Sequence, residues 1–247
     1  MNFIRKTFRF IYGFFLFIGC TRTLYANRLL KGKRVAIVGA ANSAYQTGKG
    51  AYIDGFDLVI RVNKAPHLLK DDRWKADIGS RANILFHSFF ENEVSGGGAL
   101  DLRLYDRLGI QFIINPIPTY SGFRVTFNFY KKYLVRRIIY TLPRKEYNKM
   151  QEQLGQFRPT IGFCALRAAL ECDFSELYIT GFTFFKTPFG AGYRDDMRDV
   201  HQVQQYIKDA GLHNPDLEFK QFLKLLQQNR HKNILLDSTL QSIVGEY

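Results

Sequence analysis

The stretch from Lys33 to Pro66 restricts the fold more than any other part of this chain. A β-branched run, "KRVAIVG", ends in glycine and small residues, and a second, "FDLVIRVN", follows after room for one helix. Runs this short and apolar, bounded by small residues, read as strands buried on both faces, and such a pair opens a parallel sheet as a βαβ-type unit. Further strand-like runs occur at "ANILFHSFF", "IQFIINPIP" and "ELYITGFTFF", while "SGGGALDLRLYDRLG" and "FCALRAALEC" have helical spacing. Residues Asn128 to Gln153 are expected to be helical, with Pro143 as a break. The chain therefore predicts a single α/β domain with a Rossmann-type, mostly parallel sheet flanked by helices. Its 247 residues suffice for one core of that kind.

In open parallel sheets, ligands bind beyond the carboxyl ends of the strands, at the point where strand order reverses. That rule singles out the loops "GAANS" and "VNKAP" and the long glycine-bearing segment "GFTFFKTPFGAGYRDD", a candidate lid. Gly39, Ala40, Ala41, Asn42 and Ser43 are small enough to let a ligand approach the backbone. They lack the second and third glycines of a dinucleotide fingerprint, so a Rossmann NAD site is not indicated. The chain also carries no P-loop and no Asp-x-Asp pair to hold a metal-bound sugar nucleotide. A metal-independent ligand site is the simpler expectation.

Charge is concentrated in two places. Residues 1 to 34 carry eight basic side chains and no acid, and residues 131 to 149 carry seven against Glu146, so the rest of the +13 chain nets −1. The first cluster brackets "FIYGFFLFIGC", which is about half of the roughly 20 apolar residues needed to cross a bilayer. Residues 1–33 are therefore expected to form a basic, aromatic segment lying in a membrane interface, appended to a catalytic domain over 34–247. The three cysteines, Cys20, Cys164 and Cys172, have no metal-ligand spacing and suit a reducing compartment.

Two helix starts could carry chemistry. Thr160, in "RPTIGF", can cap the helix that follows, aiming the amides of Ile161, Gly162 and Phe163 at a phosphate or carboxylate. In "HNPDLE", Asn214 is a plausible N-cap and Pro215 a favoured first helical residue. His213 then lies just outside the helix's positive end, which lowers its pKa and favours neutral imidazole. Glu218 falls in the first turn, where an acid is electrostatically welcome. These residues alone leave His213 either a proton acceptor or a bystander beside a capped helix.

Taken in order, the motifs resemble those of the eukaryotic-type sialyltransferases. "VAIVGAANSAYQTGKGAYIDGFDLVIRVNKAP" resembles the large sialyl motif through Ile53, Asp54, Asp57, Val59, Arg61, Asn63, Ala65 and Pro66. "ADIGSRAN" is similar to the short segment that follows it in the family. "RPTIGFCALRAALECDFSELYITGF" resembles the small motif through Pro159, Thr160, Gly162, Cys172, Asp173, Tyr178 and Gly181, and "HNPDLE" the very small one. The resemblance spans roughly residues 34 to 226 and implies a variant GT-A α/β fold. The implied reaction is inverting, metal-independent transfer of sialic acid from CMP-sialic acid to a hydroxyl of a glycan or glycolipid.

Carried over by position, His213 would be the catalytic base. Gly39, Asn42, Ser43 and Asn63 would hold the cytidine nucleotide, and Thr160, Ile161 and Gly162 the donor's phosphate or carboxylate side. The family's third motif falls near "AGYRDDM", where Tyr193 stands and Arg194 replaces a histidine, with His201 a less well spaced substitute. Arg194 would neutralise the departing phosphate without protonating it. Ala40 stands where the family's motif has asparagine. Val35 occupies the position of the cysteine that bridges the motifs, so Cys172 has no partner and a cytoplasmic-face home is expected over a Golgi-type signal anchor. Expected partners are a CMP-sugar, a glycan or glycolipid acceptor and a membrane surface, with no cofactor and no nucleic acid. CMP-Kdo is the alternative donor, and a non-catalytic binder of nucleic acid or anionic lipid is the alternative of another class.

Overall fold

A computed structural model describes residues 2–92, 96–197 and 199–245. The described strands form one eight-stranded sheet, with every pairing parallel, in the order β1-β6-β5-β4-β3-β2-β7-β8. The strands are β1 Thr21–Thr23, β2 Arg34–Val38, β3 Leu58–Val62, β4 Ile84–Phe86, β5 Phe112–Ile114, β6 Ile139–Thr141, β7 Glu176–Thr180 and β8 Ile234–Leu236. The helices are α1 Asn2–Cys20, α2 Ala26–Leu30, α3 Gly50–Asp54, α4 Lys75–Ile78, α5 Leu102–Leu108, α6 Tyr120–Tyr133, α7 Arg144–Gln153, α8 Ile161–Leu170, α9 Val200–Ala210, α10 Pro215–Gln228 and α11 Ser238–Gly245.

The central strands are apolar because both faces are covered: Val35, Ile37, Val59 and Leu177 are all at most 1% exposed. Among them β3 carries a fully buried cation, Arg61, which donates from Nε to the Arg81 carbonyl at 3.0 Å and from Nη2 to the Ile78 carbonyl at 2.6 Å. Asp54 in turn accepts from the Ser80 amide and hydroxyl. Arg61 and Asp54 thus clamp the "DIGSR" turn rather than face a ligand.

The five strand-like runs and the two helical runs are all present, but the 128–153 stretch is not one broken helix. Leu134, with φ 53°, ends α6, and the three-residue strand β6 precedes α7. A strand that short shows no period of its own between two helices. The edge strands β1 and β8 were hidden for the same reason. Residues 1–33 do not stand apart from the domain either: β1 pairs with β6, and α1 packs along α6.

Candidate active site

The strand order turns back beside β2. From β2 the sheet grows through β3, β4, β5 and β6, whereas β7 and β8 lie on its other side. At the carboxyl ends around this reversal opens a cleft of about 490 Å³. Its floor comes from Ala40 and Ala41 after β2, Asn63 after β3, Ser88 after β4 and Gly181 after β7. Its walls are the start of α8, the 181–196 segment, one face of α9, and His213.

Thr160 caps α8 as its sequence indicates, its hydroxyl accepting from the Phe163 amide at 3.1 Å. The next backbone bond, Cys164 N–H to the Thr160 carbonyl, begins the helical ladder. The amides of Ile161 and Gly162 therefore have no intrahelical acceptor and lie at the cleft. They open a helix of ten residues, so the partial positive charge of the terminus favours an anion here.

His213 lines the same cleft. Its Nδ1 lies 2.6 Å from the Arg158 carbonyl, which can only accept, so Nδ1 carries the proton and Nε2 keeps its lone pair. The Arg158 amide returns a bond to the Leu212 carbonyl, fixing the histidine loop at both ends. Asn214 caps α10 through the Leu217 amide, with Pro215 as the first helical residue. The imidazole pKa is lowered, as expected, but the main cause is burial, opposed by the bond to Arg158.

Glu218 is the residue the sequence undervalued. It does lie in the first turn of α10, but its burial and its partner were not legible there. It is 2% exposed, and its two oxygens meet the Thr160 amide at 2.6 Å and the Thr160 hydroxyl at 2.7 Å. Burial raises its pKa to about 8 against the opposing effect of both Thr160 bonds, so the carboxyl is neutral at pH 7. One protonated side chain thus joins α10, the helix that follows His213, to the cap of α8.

On the far side, Tyr193 is buried, its hydroxyl donating to the Gly96 carbonyl and pairing with Asn63. Asn63 adopts φ 49° and accepts from the Ser88 amide, which orients its side chain at the floor of the cleft. Arg194 lines the cleft at 6% exposure, held by both oxygens of Asp196 and lying 5.2 Å over the Tyr206 ring. A second cation, Lys64, sits 5.1 Å from the Tyr193 ring centroid. Its pKa is lowered by burial and then by nearby Arg194.

Three expected donor contacts are not brought into the cleft. Gly39 is where β2 and β7 touch: a Cβ there would lie 2.2 Å from the Gly181 carbonyl oxygen, so glycine is required by packing. Ser43 donates to buried Asp237 at 3.2 Å, and Asn42 is exposed beside it. Ala40 and Ala41 line the cleft in their place. His201 is exposed on α9 outside it. Sequence reasoning placed Glu218 only as a first-turn acid and missed Lys64 and the rim residue Arg158, although all three lie within motifs already picked out.

Residues 22–96 match the family described as glycosyltransferase family 29 (sialyltransferase). No curated protein sequence matches the chain significantly. Among solved structures, a mammalian sialyltransferase superposes with TM-score 0.58 at 16% identity, covering 92% of this chain and 78% of that one. The mammalian sialyltransferase bound to Gal-β-1-3GalNAc-ortho-nitrophenol gives 0.55 at 15%, covering 90% and 78%. The Campylobacter jejuni sialyltransferase CstII, bound to the substrate analogue CMP-3FNeuAc, gives 0.51 at 14%, covering 83% and 81%. The chain is therefore sialyltransferase-like, in sequence over the segment that holds the large motif and in fold over nearly its whole length.

Proposed function

We propose that the protein is an inverting, metal-independent glycosyltransferase that moves sialic acid from CMP-sialic acid to a hydroxyl of a glycan or glycolipid. The observation that carries this reading is the pairing across one cleft of a neutral histidine, His213, with the open amides of Ile161 and Gly162. A CMP-linked acidic sugar brings one phosphate and one carboxylate, the anions such a terminus and two nearby cations accommodate.

In the proposed reaction, Nε2 of His213 takes the proton of the acceptor hydroxyl as its oxygen bonds to the anomeric carbon. The bond from that carbon to the phosphate oxygen breaks, and CMP leaves with the electron pair. Attack opposite the leaving group inverts the centre. Charge growing on the phosphate is met by the α8 terminus and by Arg194, with Lys64 adding to the positive field. Glu218 contacts neither substrate and acts by holding Thr160 in place. The free thiols support a cytosol-facing setting.

The test uses purified protein, CMP-sialic acid or CMP-Kdo, and a panel of glycan acceptors. Release of CMP with CMP-sialic acid is expected, and preferential turnover of CMP-Kdo would reassign the donor. His213→Ala is expected to lower turnover by about 10² to 10⁴ while CMP still binds. Turnover within a few-fold of the parent would refute the base assignment.

A further inference from the structure

Helix α1 presents two apolar faces, and only one is used by the fold. Arg9, Tyr12, Gly13, Leu16, Phe17 and Cys20 recur at helical spacing and turn toward the domain. Gly13 is needed there, since a Cβ would meet the backbone of Lys131 at 3.1 Å. Phe17 packs edge-on against Phe123, Phe127 and Tyr130 of α6, and Arg9 donates to the carbonyls of Lys131 and Lys132. These contacts fix α1 flat along α6.

The opposite face is left bare. Ile4, Phe8, Ile11, Phe15 and Ile18 repeat at alternating four- and three-residue steps and are 51 to 75% exposed. Phe3, Phe10 and Phe14 widen the stripe to an arc of about 160° at 100° per residue. Arg5 and Lys6 are exposed on its two borders, and Lys131 of α6 adds a cation beside Phe127, which itself touches Phe10.

We propose that α1 docks this outward stripe into the interface of an anionic lipid bilayer, lying in the membrane plane with its inner face still packed on α6. Charge complementarity selects this occupant over a second copy of the chain. Residues 1 to 34 contain eight cations and no acid, so stripe-to-stripe pairing would bring cation borders together with nothing to neutralise them. Lipid phosphates supply the missing charge, and the aromatic rings suit the headgroup boundary. Among the described residues no helix is long and apolar enough to cross a membrane, consistent with a helix that lies along one.

Flotation of the full chain with phosphatidylcholine vesicles, with and without phosphatidylglycerol, tests the proposal. Wild type is expected to float with the phosphatidylglycerol vesicles, and Arg5→Glu with Lys6→Glu to abolish the preference for them. The triple variant Phe8→Ser, Phe15→Ser, Ile18→Ser alters only outward side chains and is expected to lose binding at least about tenfold. Its CMP release with a soluble acceptor should stay at the wild-type rate, which separates a lost surface from a lost fold. Undiminished flotation of the triple variant overturns the proposal. So does a wild-type chain that ignores both vesicles but forms a dimer that the triple variant cannot.

Discussion

Replacing Glu218 by Gln should make the protein more stable, by an amount that depends on pH. The folded chain holds this proton up to about pH 8, whereas an unfolded glutamate releases it near 4.5. Below 4.5 both states are protonated and the group is silent. Between 4.5 and 8 the unfolded chain binds fewer protons than the folded one, so stability falls as pH rises, by about 1.4 kcal/mol per unit. At pH 7 the accumulated cost is about 3 kcal/mol, and above pH 8 it levels at about 5 kcal/mol.

Glutamine copies the neutral acid in shape and bonding. Its carbonyl can accept from the Thr160 amide, and its NH₂ can donate to the Thr160 hydroxyl. The variant therefore keeps the clamp without the slope. Urea unfolding of both proteins at pH 5, 6, 7 and 8 should give curves that nearly coincide at pH 5 and separate steadily above it. A constant offset across that range would refute the reasoning, because it would show that Glu218 does not titrate there. The same substitution should flatten any alkaline limb of the rate profile near pH 8, since an ionised Glu218 would push negative charge toward the anion-binding start of α8.

Other substitutions separate packing from chemistry. Gly39→Ala forces a methyl against the Gly181 carbonyl and should cost about 1 to 3 kcal/mol or more of stability in urea unfolding; unchanged stability would mean the β2–β7 contact is looser than described. Arg194→Leu removes the cation beside the leaving group and should lower kcat about 10- to 100-fold, with Arg194→Lys recovering part of it; equal losses in both would point to the lost Asp196 and Tyr206 contacts instead. Because His213 must be neutral to accept a proton and its pKa is lowered, the acid limb of activity should lie below the usual imidazole value of about 6.5. A limb above that value would contradict a buried base.

Much of the site was legible because its signals are local. A threonine capping an amide three residues on, and an asparagine followed by proline doing the same, act within one turn and read directly from "RPTIGF" and "HNPDLE". Motif matching was a poorer guide to which side chains face the ligand. Asp54 and Arg61 belong to the large-motif pattern yet brace a turn, Gly39 spaces two strands, and Ser43 is committed to Asp237.

The sequence by itself determined the parallel α/β class, the strand runs around Val35 to Val38 and Leu58 to Val62, and the two capped helices. Periodicity, β-branching and N-cap chemistry are settled within a few neighbouring residues. Only the tertiary structure decided that β1 closes the far edge of the sheet, that α1 has a docked face and a bare one, and that Glu218 meets Thr160 across 58 residues of chain. Such pairings depend on which surfaces chain closure brings together, and the resulting burial decides whether an acid is solvated or keeps its proton. An acid expected only to suit the positive start of a helix becomes, once enclosed, the neutral link between the proposed base and the start of α8.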